Sequence, residues 1–209
     1  MIQAIVFSRN RAFQLDGMLR SFFYFCQNPD ALNVLYRADG EQHIRQYQEL
    51  AHEWSEVRFI PRSTVQETLL ATIDPTIQFT GLFVDDNIFV SEFNLDEATE
   101  LLNSHPDCLG FSLRLGKNTT YCFTGNFDQP LPNFTSHGNV LLFDWTISAH
   151  EFGYPLEISS SIYRTKELLP LLEAPFDNSP NSLELSLANQ ANRFKVSHPF
   201  LACWEQSVV

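Results

Sequence analysis

Two adjacent carboxylates are the most specific chemical signal in the sequence. Asp85 and Asp86, followed by Asn87, come directly after the apolar run 81–84. Adjacent carboxylates repel each other unless a cation or a basic side chain lies between them. Mg²⁺ and Mn²⁺ prefer oxygen ligands, and the phosphates of a nucleotide commonly complete their coordination shell. The pattern therefore indicates a divalent-metal site, although Asp86 or Asn87 could instead cap the segment that follows.

Polar and basic residues also follow the earlier apolar runs. Ser8, Arg9 and Arg11 come after the first run, Asp39 comes after the second and Arg62 after the third. Arginine can bind phosphate through two parallel hydrogen bonds, and a helix N-terminus favours an anion. A carboxylate such as Asp39 can accept hydrogen bonds from a base or a ribose. The alternatives are solvated arginines at a helix start and a simple Asp-Gly turn at 39–40.

The elements that must position these residues alternate between strand and helix. Short apolar runs at 3–8, 33–37, 57–60 and 81–84 predict four strands. Apolar residues spaced three and four apart predict helices between them, the first marked by Leu15, Leu19 and Phe22. This order predicts an α/β fold with a mainly parallel central sheet flanked by helices. Ligands of such sheets bind at the carboxyl ends of the strands, where the polar residues above are found.

The second half of the chain has a different pattern. Asn94 with Glu97 predicts a capping box at a helix start, and 108–115 and 140–145 predict strands. Residues 117–139 predict a long loop or an irregular hairpin, which we expect to be mobile and to cover a bound ligand. A helix is predicted over 165–172, and Ser179-Pro180 opens another that includes Phe194.

Composition narrows the function further. The chain has 209 residues, of which 44% are hydrophobic and 18% charged, and its net charge is −12. These values predict one folded domain over 1–209, and the acidic balance argues against a nucleic-acid partner. The sequence contains no apolar run of transmembrane length and no evident leader, so we expect a cytoplasmic protein. The 19 phenylalanines predict an aromatic core or cleft, and the four isolated cysteines predict buried free thiols.

The motifs resemble those of GT-A fold glycosyltransferases, broadly of the family 2 kind. Residues 5–11 with Leu15 and Leu19 are similar to the opening of those enzymes, and 82–89 resembles their Asp-x-Asp strand. The similarity is best over residues 3–90, and 154–164 is similar to the segment that shapes their acceptor site. One departure concerns the metal site, because the usual motif would place a carboxylate at Asn87.

The resemblance implies a transferase that takes a sugar from a nucleotide-diphosphate donor with the help of Mn²⁺ or Mg²⁺. Residues 1–90 would form the nucleotide-binding half and 91–209 the acceptor-side half. The implied donor-binding residues are Ser8, Arg9, Arg11, Asp39, Arg62 and Arg114. The implied metal ligands are Asp85 with Asp86 or Asn87. His198, near the end of the sequence, is implied as a further ligand. The alternative interpretations are a solvated turn for Arg114 and a surface position for His198.

If the transfer inverts the sugar's configuration, the acceptor hydroxyl needs a base on the face opposite the diphosphate, and Glu184 is the first candidate with Glu157 in reserve. We expect Glu184 in the first turn of the helix opened by Ser179-Pro180, although a plain helix-surface position is the alternative. The acceptor itself is not indicated by any motif. A second function also fits the residues, since Asn87 would suit a nucleotide-binding or protein-interaction module without catalysis. A Rossmann dehydrogenase and a serine hydrolase are excluded, because the chain has neither a glycine-rich turn after 3–8 nor a Gly-x-Ser-x-Gly motif.

Overall fold

A large mixed sheet runs through the chain, and a computed structural model describes all of residues 1–209. In chain order the elements are β1 (Ile2–Arg9), α1 (Ala12–Phe25), β2 (Leu32–Arg37), α2 (Glu41–Glu53), β3 (Arg58–Pro61), α3 (Val65–Thr72), β4 (Phe79–Val84), α4 (Leu95–Ser104), β5 (Cys108–Ser112), β6 (Tyr121–Cys122), β7 (Phe127–Asp128), β8 (Thr135–His137), β9 (Val140–Asp144), β10 (Ser161–Arg164), α5 (Thr165–Leu172), α6 (Pro180–Gln190) and β11 (Phe200–Trp204). Two 3₁₀ turns cover His150–Gly153 and Ala191–Phe194. None of the helices has the length and apolar character that a membrane span requires.

The first four strands form where the apolar runs predict them. Every residue of β1 except the last is buried, because helices cover both faces of the parallel part of the sheet. Helix α1 is amphipathic, with Leu15, Leu19 and Phe22 among its buried residues. Gly40 precedes α2 with a φ of 90°, a left-handed conformation that glycine adopts without strain. The predicted Asp-Gly turn therefore ends β2 and starts the next helix.

The sheet has the strand order β3-β2-β1-β4-β10-β5-β11-β9-β8. Strands β1 to β4 are parallel to one another, whereas β10 runs antiparallel to both of its neighbours, β4 and β5. Strand β11 is parallel to β5, and β9 is antiparallel to β11. We call the edge at which β1, β2, β3, β4 and β5 end the carboxyl edge. Because β10 runs the other way, it begins at this same edge.

Phenylalanine fills much of the core on one face of the sheet. The ring of Phe22 lies edge-on to Phe83, Phe89 and Phe93, with ring centroids 5.3 to 6.0 Å apart. Such edge-to-face contacts are the favoured geometry of aromatic pairs. The prediction of an aromatic core is confirmed at these residues. All four cysteines are free and buried, as predicted.

Two predicted elements of the second half are shorter than expected. The strand predicted over 108–115 ends at Ser112, because Leu113 donates its N–H to the carbonyl of Ser160 outside the strand ladder. Helix α6 begins with Ser179 as its cap, as predicted, but it ends at Gln190. Phe194 therefore lies in the 3₁₀ turn that follows and not on the helix.

Two other predictions hold in part. Asn94 caps α4 by accepting from the N–H of Asp96, but Glu97 does not complete a capping box. The Glu97 carboxylate instead accepts from the indole N–H of Trp204. The region 117–139 is a small hairpin of β6 and β7 followed by β8, a strand at the edge of the large sheet.

Candidate active site

Two arginines, Arg9 and Arg37, lie at the ends of β1 and β2 on the carboxyl edge, and we call them the basic cluster. Arg9 and Arg37 each donate a hydrogen bond from Nε to Asp39, at 3.0 and 2.9 Å. Asn10 donates a third from Nδ2 at 3.0 Å. The hydrogen bonds from Arg37, Arg9 and Asn10 lower the pKa of Asp39 to about 2. Asp39 is therefore an ionised acceptor held in a fixed orientation at the start of α2.

The two acids after β4 share one cationic partner, Arg11. Its Nη1 lies 3.0 Å from Oδ1 of Asp85 and 3.0 Å from Oδ2 of Asp86. The Asp85 side chain is 5% exposed, whereas that of Asp86 is 54% exposed. Burial raises the pKa of Asp85, while the Ser8 hydroxyl and the charge of Arg11 act in the opposite direction. The acid pair is thus held together by a basic side chain from the end of β1.

A chain of buried hydroxyls orients Asp85. The Ser8 hydroxyl donates to Oδ2 of Asp85 at 2.8 Å and also bonds to the Tyr47 hydroxyl. The Tyr47 hydroxyl in turn accepts from the backbone N–H of Arg11 at 3.2 Å. Both hydroxyls are buried, so each bond stabilises a group that would otherwise be unsatisfied. Ser8 thus belongs to this relay of hydroxyls and does not cap α1, whose cap position is Arg11.

Arg62 is a buried guanidinium with free hydrogen-bond donors. Its side chain lies beside the basic cluster, and the residue is 7% exposed. Neither Nε nor Nη1 has a hydrogen-bond partner in the protein. Burial, followed by the charges of Arg37 and Arg9, lowers the pKa of Arg62. Buried donors of this kind are costly unless an acceptor reaches them, so this position is suited to an anionic or oxygen-rich ligand.

Asn87 is not positioned as a metal ligand. Its amide oxygen accepts from the backbone N–H of Val84 at 2.9 Å, and its own N–H donates to the Val84 carbonyl at 3.2 Å. These two bonds close a tight turn around Asp85 and Asp86. Of the two metal sets considered for this motif, the structure favours the pair of carboxylates.

His198 lies at the other edge of the sheet. It precedes β11, whose first residue, Phe200, pairs with Cys108 at the start of β5. Its Nε2 lies 3.3 Å from Oε1 of Glu167, which is on α5. The structure therefore separates His198 from Asp85 by the length of a strand, and we correct its assignment as a metal ligand.

A cleft of about 1030 Å³ opens at the carboxyl edge, after the end of β5 and before the start of β10. Leu82 of β4 pairs with Ser161 of β10, so the residues just before Ser161 lie next to the end of β4. The floor of the cleft contains Arg114, which bonds to Glu151 at 2.6 Å. Burial lowers the pKa of Arg114, but the nearby carboxylates of Glu157 and Glu151 have the larger combined effect, so the pKa is raised.

Glu157 and Glu184, the two candidate bases, both line this cleft. Glu157 is buried and accepts from the N–H of Ser159 and the hydroxyl of Ser161. Burial raises the pKa of Glu157, and Arg114, with Nε 3.6 Å away, opposes the rise. Both oxygens of Glu157 are thus already engaged.

Glu184 has looser contacts. It accepts from the Tyr154 hydroxyl at 3.3 Å and from the N–H of Ile158 at 3.2 Å. Burial, and then Glu184, raises the pKa of Tyr154 to about 12. The first turn of α6 contains no acidic residue, so the expected first-turn position of Glu184 was wrong. Glu184 therefore lies beyond the turn in which the helix dipole mainly acts.

Three side chains with clear roles in this region were not among the predicted site residues. Arg37 is the last residue of the predicted strand 33–37, and neither Tyr47 nor Glu151 belongs to a motif. The position of Arg37 at a strand end is the same signal that singled out Arg9 and Arg62. Tyr47 and Glu151 act through contacts that are distant in sequence, with Ser8 and Arg114 respectively.

The acid pair has the donor chemistry of a divalent-metal site but supplies only part of a coordination shell. An oxygen of Asp85 and an oxygen of Asp86 converge on one point, where Nη1 of Arg11 lies. No group of three or more His, Cys, Asp or Glu residues is arranged to hold a metal. Phosphate oxygens and water would have to supply the remaining ligands, as is common for Mg²⁺.

A curated protein shows sequence similarity to most of the chain. The bifunctional glycosyltransferase pgtA of Dictyostelium discoideum is 32% identical over an alignment of 186 residues, and the alignment covers 80% of this chain. The chain spans 24% of that protein, about a quarter of its length. No protein-family model matches the chain.

Solved structures show the same fold at low sequence identity. The chain aligns over 97% of its length with 34% of S. aureus TarS, with a TM-score of 0.58 and 14% identity. A crystal structure of TarS 1-349 in complex with UDP gives a TM-score of 0.58 and 15% identity over 98% of the chain and 57% of the other. The mannosyltransferase PcManGT from Pyrobaculum calidifontis, in complex with GDP-Man and Mn²⁺, gives a TM-score of 0.56 and 12% identity. The alignment covers 95% of this chain and 53% of the mannosyltransferase. The predicted GT-A type α/β fold is thus confirmed, and this chain has a glycosyltransferase fold.

Proposed function

We propose that this chain transfers a sugar from a nucleotide-diphosphate donor to a hydroxyl acceptor. The observation that carries the proposal is the position of Asp85 and Asp86. Along the strand order they lie between the basic residues at the ends of β1 to β3 and the cleft at the start of β10 and the end of β5. A donor laid along this edge would have its nucleoside on the basic side, its diphosphate at the acids and its sugar in the cleft. The similarity to pgtA and the UDP and GDP-Man bound to the structural neighbours support a nucleotide-sugar as the donor.

The chain's own residues would bind the donor through charge and hydrogen bonding. Arg62 offers buried donors for phosphate or base oxygens, and Asp39 offers a fixed acceptor for a ribose hydroxyl. Arg9 is half-exposed beside Asp39 and can approach a phosphate. Arg11 can turn from the acids toward the diphosphate when a metal enters. Ser8, through its bond to Asp85, would keep that carboxylate oriented during the exchange.

A divalent ion held by Asp85 and Asp86 would supply charge stabilisation for the departing nucleoside diphosphate. If the transfer inverts the sugar's configuration, the protein would supply the proton acceptor on the other side of the sugar. We propose Glu184 for this role, because it lines the cleft and its two hydrogen bonds are long. Glu157 is the reserve, and its bonds to Ser159 and Ser161 suit a structural role better. Arg114 would fix both walls of the cleft through Glu151 and Glu157 and thus border the donor sugar.

A second function is favoured by one observation. Arg11 already neutralises the acid pair, which would also suit a module that binds a nucleotide without turnover. The two functions differ in product formation and not in ligand binding.

The proposal extends to organisation and location. The large sheet includes strands from 1–90 and from 91–209, which supports one domain with a nucleotide half and an acceptor half. The four free, buried cysteines support a reducing compartment such as the cytoplasm.

The test is a panel of nucleotide-diphosphate sugars with and without Mn²⁺, followed by thermal unfolding and by release of the nucleoside diphosphate. We expect at least one donor to raise the melting temperature and to be turned over, and Asp85→Asn to abolish both effects. Asp107→Asn, an exposed acid at the opposite edge, is the matched control and should behave as wild type. If no donor raises the melting temperature, the proposal is wrong. Binding without turnover would establish the second function.

A further inference from the structure

The outer wall of the cleft carries aromatic rings that the fold does not need for its core. Phe123 and Phe127 lie on the β6–β7 hairpin and line the cleft, with exposed fractions of 84% and 40%. Tyr154, which is 36% exposed, also lines the cleft. Exposed phenylalanine is unfavourable in water, so rings grouped in a cleft that also contains carboxylates indicate a ligand with an apolar face.

Side-chain contacts join the hairpin to the floor of the cleft. Glu151 accepts from the Cys122 thiol at 3.4 Å and from the Thr124 hydroxyl at 3.3 Å, while it also binds Arg114. The Phe127 ring packs over Gly125, where an added Cβ would lie only 2.1 Å from the ring. Its other contact is an edge-to-face pair with His150, with centroids 4.5 Å apart. The aromatic rings thus line the same cleft as the candidate base, Glu184.

The charges of the cleft exclude one class of ligand. Its charged lining side chains are one arginine and three glutamates: Arg114, Glu151, Glu157 and Glu184. Arg114 is engaged with Glu151 and Glu157, so no free cation remains to balance an anionic ligand. Glu184, which has no basic partner, would repel a phosphate, sulfate or carboxylate.

We propose that this cleft binds a neutral sugar as the acceptor, with its apolar ring face on Phe123 and Phe127 and its hydroxyls toward Glu184. A sugar ring has a C–H face that an aromatic ring can cover and a rim of hydroxyls that carboxylates can accept from. The volume of about 1030 Å³ has room for a donor sugar and an acceptor sugar together. This inference rests on the proposed function, because it treats the inner end of the cleft as the place of the donor sugar.

The test is binding to an array of neutral, sialylated and sulfated glycans, with UDP or GDP and Mn²⁺ present. We expect neutral glycans to bind and charged ones to be rejected. Phe123→Ala should weaken binding of the best neutral glycan by roughly tenfold or more, and Phe123→Trp should retain it. Because Phe123 is largely exposed, its truncation leaves the core intact. The matched control is Ile147→Ala, since Ile147 is 82% exposed and lies outside this cleft.

The nucleotide-dependent thermal shift of Phe123→Ala separates the two proposals. If wild type shows no shift with any nucleotide, the proposed function fails. If the shift is normal but Phe123→Ala binds the neutral glycan as well as wild type does, the acceptor inference is overturned. A preference for charged glycans, or no glycan binding at all, overturns it as well.

Discussion

Replacing Arg11 should create a metal site that no longer depends on a nucleotide. The Arg11 guanidinium lies where a cation between Asp85 and Asp86 would lie, with Nη1 3.0 Å from an oxygen of each. In wild type a divalent ion must either displace this group or bind next to it. Arg11→Gln removes the positive charge and leaves two adjacent carboxylates, one of them buried. We therefore expect Mn²⁺ to bind this variant more tightly in the absence of nucleotide.

The size of the effect follows from the distances. Two unit charges about 4 Å apart interact by about 1 kcal/mol even in bulk water, and a divalent ion doubles that to about 2 kcal/mol. This energy corresponds to about a thirtyfold gain in Mn²⁺ affinity. The assay is a titration of nucleotide-free protein with Mn²⁺, in which electron paramagnetic resonance measures the concentration of free Mn²⁺. Arg9→Gln is the matched control, because Arg9 pairs with Asp39 and does not contact the acids. Equal Mn²⁺ affinity in wild type and Arg11→Gln would refute the role given to Arg11.

Three further predictions concern the relay, the basic cluster and the base. Tyr47→Phe removes bonds to Ser8 and to the Arg11 N–H and should lower the free energy of unfolding by about 1–2 kcal/mol in urea, whereas an unchanged value would argue against the relay. The pKa of Asp39 is lowered from 3.8 to about 2, so its stabilisation is present above about pH 4 and is lost as the pH falls toward 2. Asp39→Asn should flatten the pH dependence of the unfolding midpoint over that range, and parallel curves would contradict this cause. Glu184→Gln should keep nucleotide binding but slow transfer by roughly a hundredfold, and transfer within a few-fold of wild type would exclude it as the base.

The first half of the fold could be predicted because its signals are local. The apolar runs of β1 to β4, the periodic face of α1 and the turn at Gly40 can each be recognised from a short stretch of consecutive residues. The position of β10 could not be predicted in this way. This strand lies between β4 and β5 in the sheet but is far from β4 in sequence. No pattern in its four residues indicates that it runs antiparallel to its neighbours.

The same division applies to the candidate site. Residues at strand ends, such as Asp85 and Arg62, could be identified because a parallel sheet brings strand ends to one edge. The bridge made by Arg11 could not, since a motif does not show whether a metal or an arginine lies between two acids. His198 was misplaced because its distance from the acids depends on the direction of β11 and not on its neighbours in sequence.

The most direct test of the account is calorimetric titration of the wild-type protein with UDP and with GDP, in Mn²⁺ and then in excess chelator. The account predicts saturable one-to-one binding of at least one of them that weakens by roughly tenfold or more when the metal is removed. Equal affinity in Mn²⁺ and chelator would contradict the metal role of Asp85 and Asp86. No binding under either condition would contradict the central claim that this edge of the sheet binds a nucleoside diphosphate.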